Sequence, residues 1–320
     1  MKFKAPFIFL LVIHLFQFAK AQPGGYKNEF GFRSENDAYL AYGQDRYYTN
    51  GLFITFRHAA DQSRLKETVN KRIWEIEAGQ KMYNPISGYV SDVEKIDRPF
   101  AGYLYAGGSI NWLYQSESNL KLSVQFGTIG PSSLADEGQM LLHDVIGFYE
   151  IRGWESQVKD EFGVNLMAEY NRLIHRGTDQ KTDFTFTSQA GLGNTFSGAG
   201  IGLMFRAGTL RQLFDSASMD ASLSNNSKST PLSDKEFFFY AEPSLHYIAY
   251  DATVEGGLFR DDKGPVTFDV KPLVFSQQLG LLYSKKRWTI DFSVVFKSRE
   301  IKSSAGAHQY GSAALYYRFN

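Results

Sequence analysis

Residues 287–297 read RWTIDFSVVFK, and apolar and polar side chains alternate along this stretch. The apolar positions are Trp288, Ile290, Phe292, Val294 and Phe296, and the polar positions are Arg287, Thr289, Asp291, Ser293 and Lys297. Successive side chains point to opposite faces of a β-strand, so a period of two separates the two kinds of residue. The stretch therefore predicts a strand with one apolar face and one polar face.

The same alternation recurs along the chain, for example at 50–58 and 119–129. We predict twelve strands, at 26–36, 50–58, 72–81, 101–114, 119–129, 161–175, 182–192, 199–207, 236–249, 270–284, 286–298 and 307–319. An even number of strands is typical of an outer-membrane barrel. Several of the predicted strands also reach the ~9–11 residues that a tilted membrane strand needs. The prediction is an all-β protein, an antiparallel transmembrane β-barrel.

Composition excludes several other classes of protein. The 320 residues include no cysteine, which excludes disulfide scaffolds, thiolate metal sites and cysteine nucleophiles. Lys+Arg and Asp+Glu both number 34, so the chain lacks the basic bias expected for a nucleic-acid partner. Aromatic residues make up 16%, and many fall near the predicted strand ends, where barrels carry interfacial girdles.

Residues 1–21, MKFKAPFIFLLVIHLFQFAKA, have the pattern of a secretory signal peptide. Lys2 and Lys4 precede an apolar run, and Ala19-Lys20-Ala21 resembles a cleavage site. A retained anchor is the alternative, but the run is short for a spanning helix of ~20 residues. We expect cleavage near Ala21, with 22–320 forming one barrel domain in the bacterial outer membrane and no obligatory protein partner.

Two features leave room for other folds. A soluble β-sandwich also alternates, although its strands are usually shorter. With the N-terminus in the periplasm, the connection 208–235 should be a short periplasmic turn. It is long instead, and its polar middle from Ser222 to Thr230 predicts either a flexible tongue or a miscounted strand.

One helix is predicted, at 136–147 inside the outward connection 130–160. Ser132 and Ser133 follow Pro131 as candidate caps, and Leu134, Leu141, Leu142, Val145 and Ile146 recur with a period near 3.6. Gln139 and His143 are four residues apart and share one face. A helix in an outward loop of a barrel indicates a functional element.

Polar residues at the first hairpin indicate a cation site. Asn36 and Asp37 end the first strand and Thr49 precedes the second, so their side chains meet across the hairpin. Carboxylate, amide and carbonyl oxygens are calcium ligands, which makes Asn36 and Asp37 candidate metal ligands. A neutral histidine near such a cation could activate water while the cation stabilises an ester oxyanion.

Six short motifs follow each other along the chain: Glu35-Asn36-Asp37, Tyr48-Thr49-Asn50-Gly51-Leu52, Asp97-Arg98-Pro99-Phe100-Ala101-Gly102, Ile129-Gly130-Pro131-Ser132, Gln139-x-x-x-His143 and Gly153-Trp154-x-x-Gln157. Together they resemble the outer-membrane lipid A 3′-O-deacylase family. The order and context of these motifs agree with those of the family across roughly residues 29–175. The resemblance implies a twelve-stranded barrel with its active site between the wall and a loop helix.

The resemblance also implies an activity and roles for residues. It implies calcium-dependent removal of the 3′-linked acyloxyacyl chain from lipid A, the lipid anchor of lipopolysaccharide in the outer leaflet. His143 would activate water and Gln139 would orient groups on the helix face. Asn36, Asp37 and Thr49 would form the metal and catalytic surroundings, with calcium stabilising the oxyanion. Basic residues of the second outer loop, here Arg98 and Lys95, would contact the head group.

Two other functions fit the same features. An outer-membrane esterase of the phospholipase type would share the barrel and the calcium. A non-enzymatic outer-membrane channel would need an open polar lumen.

Overall fold

The computed structural model describes residues 25–40, 46–90, 92–147, 149, 151–226 and 231–320. Each of the twelve predicted strands is present, with ends shifted by a few residues. The strands are β1 (Asn28–Asn36), β2 (Tyr47–Ala59), β3 (Val69–Asn84), β4 (Ala101–Tyr114), β5 (Ser118–Ile129), β6 (Glu161–Arg176), β7 (Thr182–Gly193), β8 (Phe196–Thr209), β9 (Lys235–Asp251), β10 (Leu273–Lys285), β11 (Trp288–Lys297) and β12 (His308–Phe319). The predicted signal peptide, 1–21, lies outside the described residues.

The strands form one closed antiparallel barrel. Each strand pairs with its neighbours in sequence, and β12 pairs with β1 to close the sheet. Closure satisfies the backbone groups of every strand and leaves no sheet edge, which is the condition for crossing a bilayer with strands.

Side chains divide between the outer wall and the lumen as the alternation predicts. On β2, Ile54 points outward and is exposed, whereas Arg57 points inward and is buried. On β3, Ile76 is exposed, whereas Glu75 is buried against Arg57. An apolar exterior and a charged interior are the reverse of a soluble sandwich. None of the described helices is long and apolar enough to span a membrane.

The two ends of the barrel differ. The connections 115–117, 177–181 and 286–287 are short and share one end, whereas 85–100, 130–160 and 252–272 are long and share the other. Short periplasmic turns and long outer loops are the rule for such barrels, so the long loops mark the outer end.

The long connection between β8 and β9 folds into the barrel instead of away from it. Leu213, Phe214 and Met219 are buried against apolar side chains of the inner wall. Asp220 forms ion pairs with Arg57 at 2.9 Å and with Lys121 at 3.1 Å. The strand count was right, and the expected flexible tongue is wrong for 210–226, which forms a plug in the periplasmic half of the lumen. Residues 227–230 lie outside the described part of the chain.

The predicted loop helix is present as α1 (Ala135–Ile146). It ends at Gly147, which has a φ of 77° and donates its N–H to the carbonyl of His143 at 2.8 Å. Glycine suits this position because a left-handed residue commonly terminates a helix. A second helix, α2 (Ala252–Glu255), is short and was not predicted.

Candidate active site on the outer wall

A β-bulge at Thr49 arranges the first hairpin. Tyr48 pairs with Tyr83 and Asn50 pairs with Met82, so Thr49 is an extra residue between two consecutive pairs. Tyr48 points into the lumen, where its hydroxyl donates to Glu35. Because of the bulge, the side chain of Asn50 points outward although that of Tyr48 points inward. Thr49, between them, is buried.

Three residues predicted from sequence come together here. Oδ1 of Asn36 accepts a hydrogen bond from the backbone N–H of Ala38 at 2.7 Å, which turns the chain at the end of β1. The buried Asp37 carboxylate then accepts from the backbone N–H of Arg46 at 2.8 Å and from the Thr49 hydroxyl at 3.4 Å. Asn36 also pairs with Asn50 across the two strands. The hairpin therefore gathers oxygen atoms at the outer rim.

Helix α1 lies on the outer wall next to this hairpin. The Gln80 amide donates to the carbonyls of Ser133 and Leu134 at 2.7 and 3.0 Å, which anchors the start of the helix. A Cβ on Gly102 would lie 2.3 Å from that of Ala135, so only glycine permits this approach. Gly138 packs similarly against Met82 of β3.

The direction of α1 brings His143 towards the hairpin. Ala135 lies on β4 and Gly138 on β3, so the helix crosses the strands in the direction of β2. A helix advances about 1.5 Å per residue and strands lie about 4.8 Å apart, so three residues cross one strand. The five further residues to His143 add about 7.5 Å, which carries the helix from β3 towards β2 and the hairpin. Ala135, Gln139 and His143 follow each other at intervals of four and are all buried on the wall-facing side.

The hydrogen bond of His143 assigns its tautomer. Nδ1 lies 2.8 Å from the carbonyl oxygen of Tyr149, which can only accept. In the neutral ring the proton therefore sits on Nδ1, which leaves the lone pair that a general base needs on Nε2. The Tyr149 ring also packs edge-to-face on the imidazole, at 5.2 Å between centroids.

Gln139 is held by a residue that follows the helix. The indole Nε1 of Trp154 donates to Oε1 of Gln139 at 3.0 Å. Trp154 also packs on Phe100. Gly153 has a φ of 125°, and a Cβ there would lie 2.6 Å from the Phe100 ring, which explains glycine before the tryptophan.

The donor set fits a hard cation better than a transition metal. In the described part of the chain, no three His, Asp or Glu side chains are grouped so that they could hold a metal. A cation here would depend on Asp37 together with amide and carbonyl oxygens, as calcium allows. Oδ1 of Asn50 is buried, and no described residue donates a hydrogen bond to it. A buried oxygen without a donor, in the hairpin that also carries the Asp37 carboxylate, suits a cation ligand.

The two predicted head-group residues lie elsewhere. Arg98 is buried, donates to Thr253 Oγ1 at 2.9 Å and stacks over the Tyr83 ring at 4.2 Å. Its guanidinium therefore faces the mouth of the lumen and is not brought to α1. Lys95 is exposed at the outer end and pairs with Asp92 at 3.4 Å.

Sequence reasoning missed several contributors to the site. Trp154 and Asn50 belong to motifs of the family resemblance but had no predicted role. Gln80 and Met82 belong to none of these motifs. The outward direction of Gln80 followed from the alternation of the predicted strand 72–81, whereas Met82 lay one residue beyond it. Neither contact with α1 was predictable.

The fold and this site together define an outer-membrane β-barrel with a loop helix seated on its outer wall. The family model described as outer membrane protein LpxR matches residues 7–319, and the chain belongs to this family. The membership confirms the resemblance that the motifs indicated. It places the protein in the outer membrane and supports a lipid A deacylase.

Solved structures show the same architecture. LpxR from Salmonella typhimurium aligns with 91% of this chain and 100% of that chain, with a TM-score of 0.70 and 18% identity. The β domain of the Bordetella autotransporter Brka aligns with 92% of this chain and 99% of that chain, with a TM-score of 0.52 and 10% identity. At these identities the likenesses show the fold alone. A comparison with curated proteins finds no match.

Proposed function

We propose that this protein is a calcium-dependent ester hydrolase that removes the 3′-linked acyloxyacyl chain of lipid A at the outer leaflet. The observation that carries the proposal is His143, which is buried on the wall-facing side of α1 with Nδ1 bonded to the Tyr149 carbonyl. Family membership supplies the class of substrate.

The residues support a direct attack by water. Nε2 of His143 takes a proton from a water molecule as that water attacks the ester carbonyl carbon. The protonated imidazole then returns the proton to the sugar oxygen when the ester bond breaks, which releases a carboxylic acid and a sugar hydroxyl. A calcium ion held by Asp37 and by the amide oxygens of Asn36 and Asn50 would supply positive charge that stabilises the oxyanion.

Trp154 contributes by orienting Gln139. Because Oε1 of Gln139 accepts from the indole, this bond fixes the plane of the amide and the direction of its NH₂. Because the amide is already oriented before the reaction, little free energy is needed to reorganise it in the transition state.

The position of the site suits a lipid substrate. The gathered oxygens and α1 lie on the outer wall at the rim, and apolar side chains such as Ile54 and Ile76 cover the wall below. Acyl chains can therefore remain in the membrane while the sugar ester reaches His143. A soluble substrate would not need this arrangement.

The decisive experiment incubates the detergent-purified protein with lipid A, with calcium or with a calcium chelator, and analyses the products by mass spectrometry. We expect loss of one 3-acyloxyacyl acid only when calcium is present. Hydrolysis of a phospholipid in preference to lipid A would replace the proposal by the phospholipase-type alternative.

The channel alternative is tested separately. The plug 210–226 fills the periplasmic half of the lumen with buried side chains, which opposes conduction. Steady conductance in planar bilayers, combined with no release of acyl chains, would favour a channel over an enzyme.

A further inference from the structure

A groove runs along the outer wall beside the candidate active site. It has a volume of about 640 Å³, within the usual range for ligand pockets, and crosses β10, β11 and β12. Its floor lies over the small residues Gly311 and Ala313, and larger apolar side chains such as Phe292 and Leu281 form its sides. The turn 37–40 borders it at the upper end, through Tyr39 and Leu40.

The strand register connects this groove to the candidate site. Gly311 pairs with Asn36 on one side and with Val294 on the other, and Val294 pairs with Leu279. On the opposite side of Asn36, the same row continues through Asn50 to Met82 beneath α1. One row of outward positions therefore joins the groove, the oxygen cluster and the helix.

The row also descends into the membrane. Asn36 is the last residue of β1 at the outer end, whereas Leu279 lies in the middle of β10. Three steps between strands cover about 14 Å, and the descent follows from the tilt of the strands. A chain leaving the site along this row would pass from the rim towards the centre of the bilayer.

The turn that carries Asp37 packs against the wall at the upper end of the groove. A Cβ on Gly311 would lie 2.8 Å from the Cβ of Tyr39, so glycine permits the turn to approach the wall. The hydroxyls of Tyr39 and Ser34 are hydrogen-bonded at 2.7 Å, which holds the ring against β1. The occupant of the groove would therefore contact the same turn that presents the carboxylate.

We infer that this groove binds a long acyl chain of the lipid substrate and thereby determines which chain lengths are cleaved; the inference rests on the proposed function. The groove is continuous with the lipid-facing wall and ends at the oxygen cluster, which matches an apolar chain attached to a polar ester. An acyl chain gains no hydrophobic energy by leaving bulk lipid, so the groove acts through van der Waals fit. Fit of this kind discriminates by length and shape.

The test fills the groove without touching the site. Ala313→Phe and, separately, Val294→Phe place a ring on the floor, and Ala190→Phe makes the same change on the exposed outer face of β7 as a control. Rates are measured with calcium on lipid A carrying long or short 3′-linked chains. We expect the groove variants to lose at least roughly tenfold on the long-chain substrate, because a misplaced ester reacts slowly, and to keep the short-chain rate.

Other outcomes overturn the inference. An unchanged long-chain rate, or an equal loss on both substrates, would show that the groove does not select the chain. If the wild-type protein cleaves neither substrate, the proposed function fails. Binding of an acyl chain in the groove is then tested by photolabelling with a diazirine-bearing myristic acid. Labels concentrated on β10–β12 and lost in Ala313→Phe support the groove, whereas even labelling around the wall means contact with bulk lipid only.

Discussion

The indole Nε1 of Trp154 donates a hydrogen bond to Oε1 of Gln139 at 3.0 Å, across 15 residues of sequence and beneath helix α1. Both side chains are buried, so this bond forms out of contact with bulk water. It connects the segment after the helix to the helix face that carries His143. The orientation of the Gln139 amide therefore depends on a residue outside the helix.

Replacing Trp154 by phenylalanine tests this orientation. Trp154→Phe keeps an aromatic ring against Phe100 but removes the donor to Oε1 of Gln139, which loosens the orientation of the amide. A lost hydrogen bond costs about 1 kcal/mol, which predicts a roughly fivefold lower kcat with little change in KM. In a double variant Trp154→Phe should add little to the loss caused by Gln139→Ala, because Trp154 acts only through the Gln139 amide. Additive losses would contradict the role.

Removing the base should stop the reaction without unfolding the barrel. We expect His143→Ala to lower the rate of lipid A deacylation by at least ~10²-fold, as for loss of a general base. His175→Ala is the matched control, since His175 is exposed at the far end of β6. Heat-modifiability on gels checks that both variants form the barrel. A wild-type rate in His143→Ala would remove this residue from the mechanism.

Asp37 should determine the affinity for calcium. Asp37→Asn removes the carboxylate charge, so we expect a higher calcium concentration for half-maximal activity and weaker binding by calorimetry. The control is Asp269→Asn, an exposed carboxylate of an outer loop that pairs with Lys302 at 3.4 Å. Equal calcium affinities for the two variants would place the cation elsewhere.

The plug depends on a buried ion pair between Lys71 of β3 and Asp215. Lys71→Met leaves the Asp215 carboxylate buried without its cation, and we expect a loss of about 3–5 kcal/mol in the free energy of unfolding. Adding Asp215→Leu should recover part of this loss, because the orphaned charge is then gone. Urea unfolding in detergent measures both effects. No recovery in the double variant would mean that Lys71 acts through its other contact, the carbonyl of Ala221.

The outer mouth should lose stability in acid through Glu300. Burial raises the pKa of this carboxyl, but Lys297, His308 and Arg98 outweigh it and lower the pKa to about 2. Because the folded pKa lies below the unfolded value, the stabilisation is complete above ~4.5 and declines as the pH falls towards 2. The stability difference between wild type and Glu300→Gln should therefore be constant from pH 7 to 5 and shrink below that range.

A control separates this effect from general acid unfolding. Glu94 is exposed in the 3₁₀ turn Val93–Lys95, and Glu94→Gln is the matched control for general acid unfolding. A constant difference between wild type and Glu300→Gln down to pH 2 would show that the cations do not hold Glu300 ionised.

Alternation with a period of two was enough to predict the twelve strands and the barrel. The pattern works because each side chain of a strand faces either lipid or lumen, and these two environments select opposite residue types. The helix was predicted at 136–147 and lies at Ala135–Ile146, because its period and the terminating Gly147 are local signals. The meeting of Asn36, Asp37 and Thr49 was also predictable, since one hairpin brings them together.

Contacts between distant segments decided the remaining features. The connection 208–235 carried no local signal that it would enter the lumen, because its ion pairs are made with strands about 100 to 160 residues away. Thr253, 155 residues further along, holds Arg98 at the lumen mouth, which its motif did not indicate, and its contact with the head group stays a prediction. The alternation also could not reveal that Gln80 and Met82 are covered by α1 and not by lipid.

The sequence by itself determined the class of protein, the number of strands and the face on which each side chain lies, because these depend on neighbouring residues only. The tertiary structure alone decided that the lumen is plugged, that the outer wall bears a groove in register with Asn36, and that Trp154 orients Gln139. Those features depend on where separate segments meet once the sheet has closed, and no local pattern encodes that meeting.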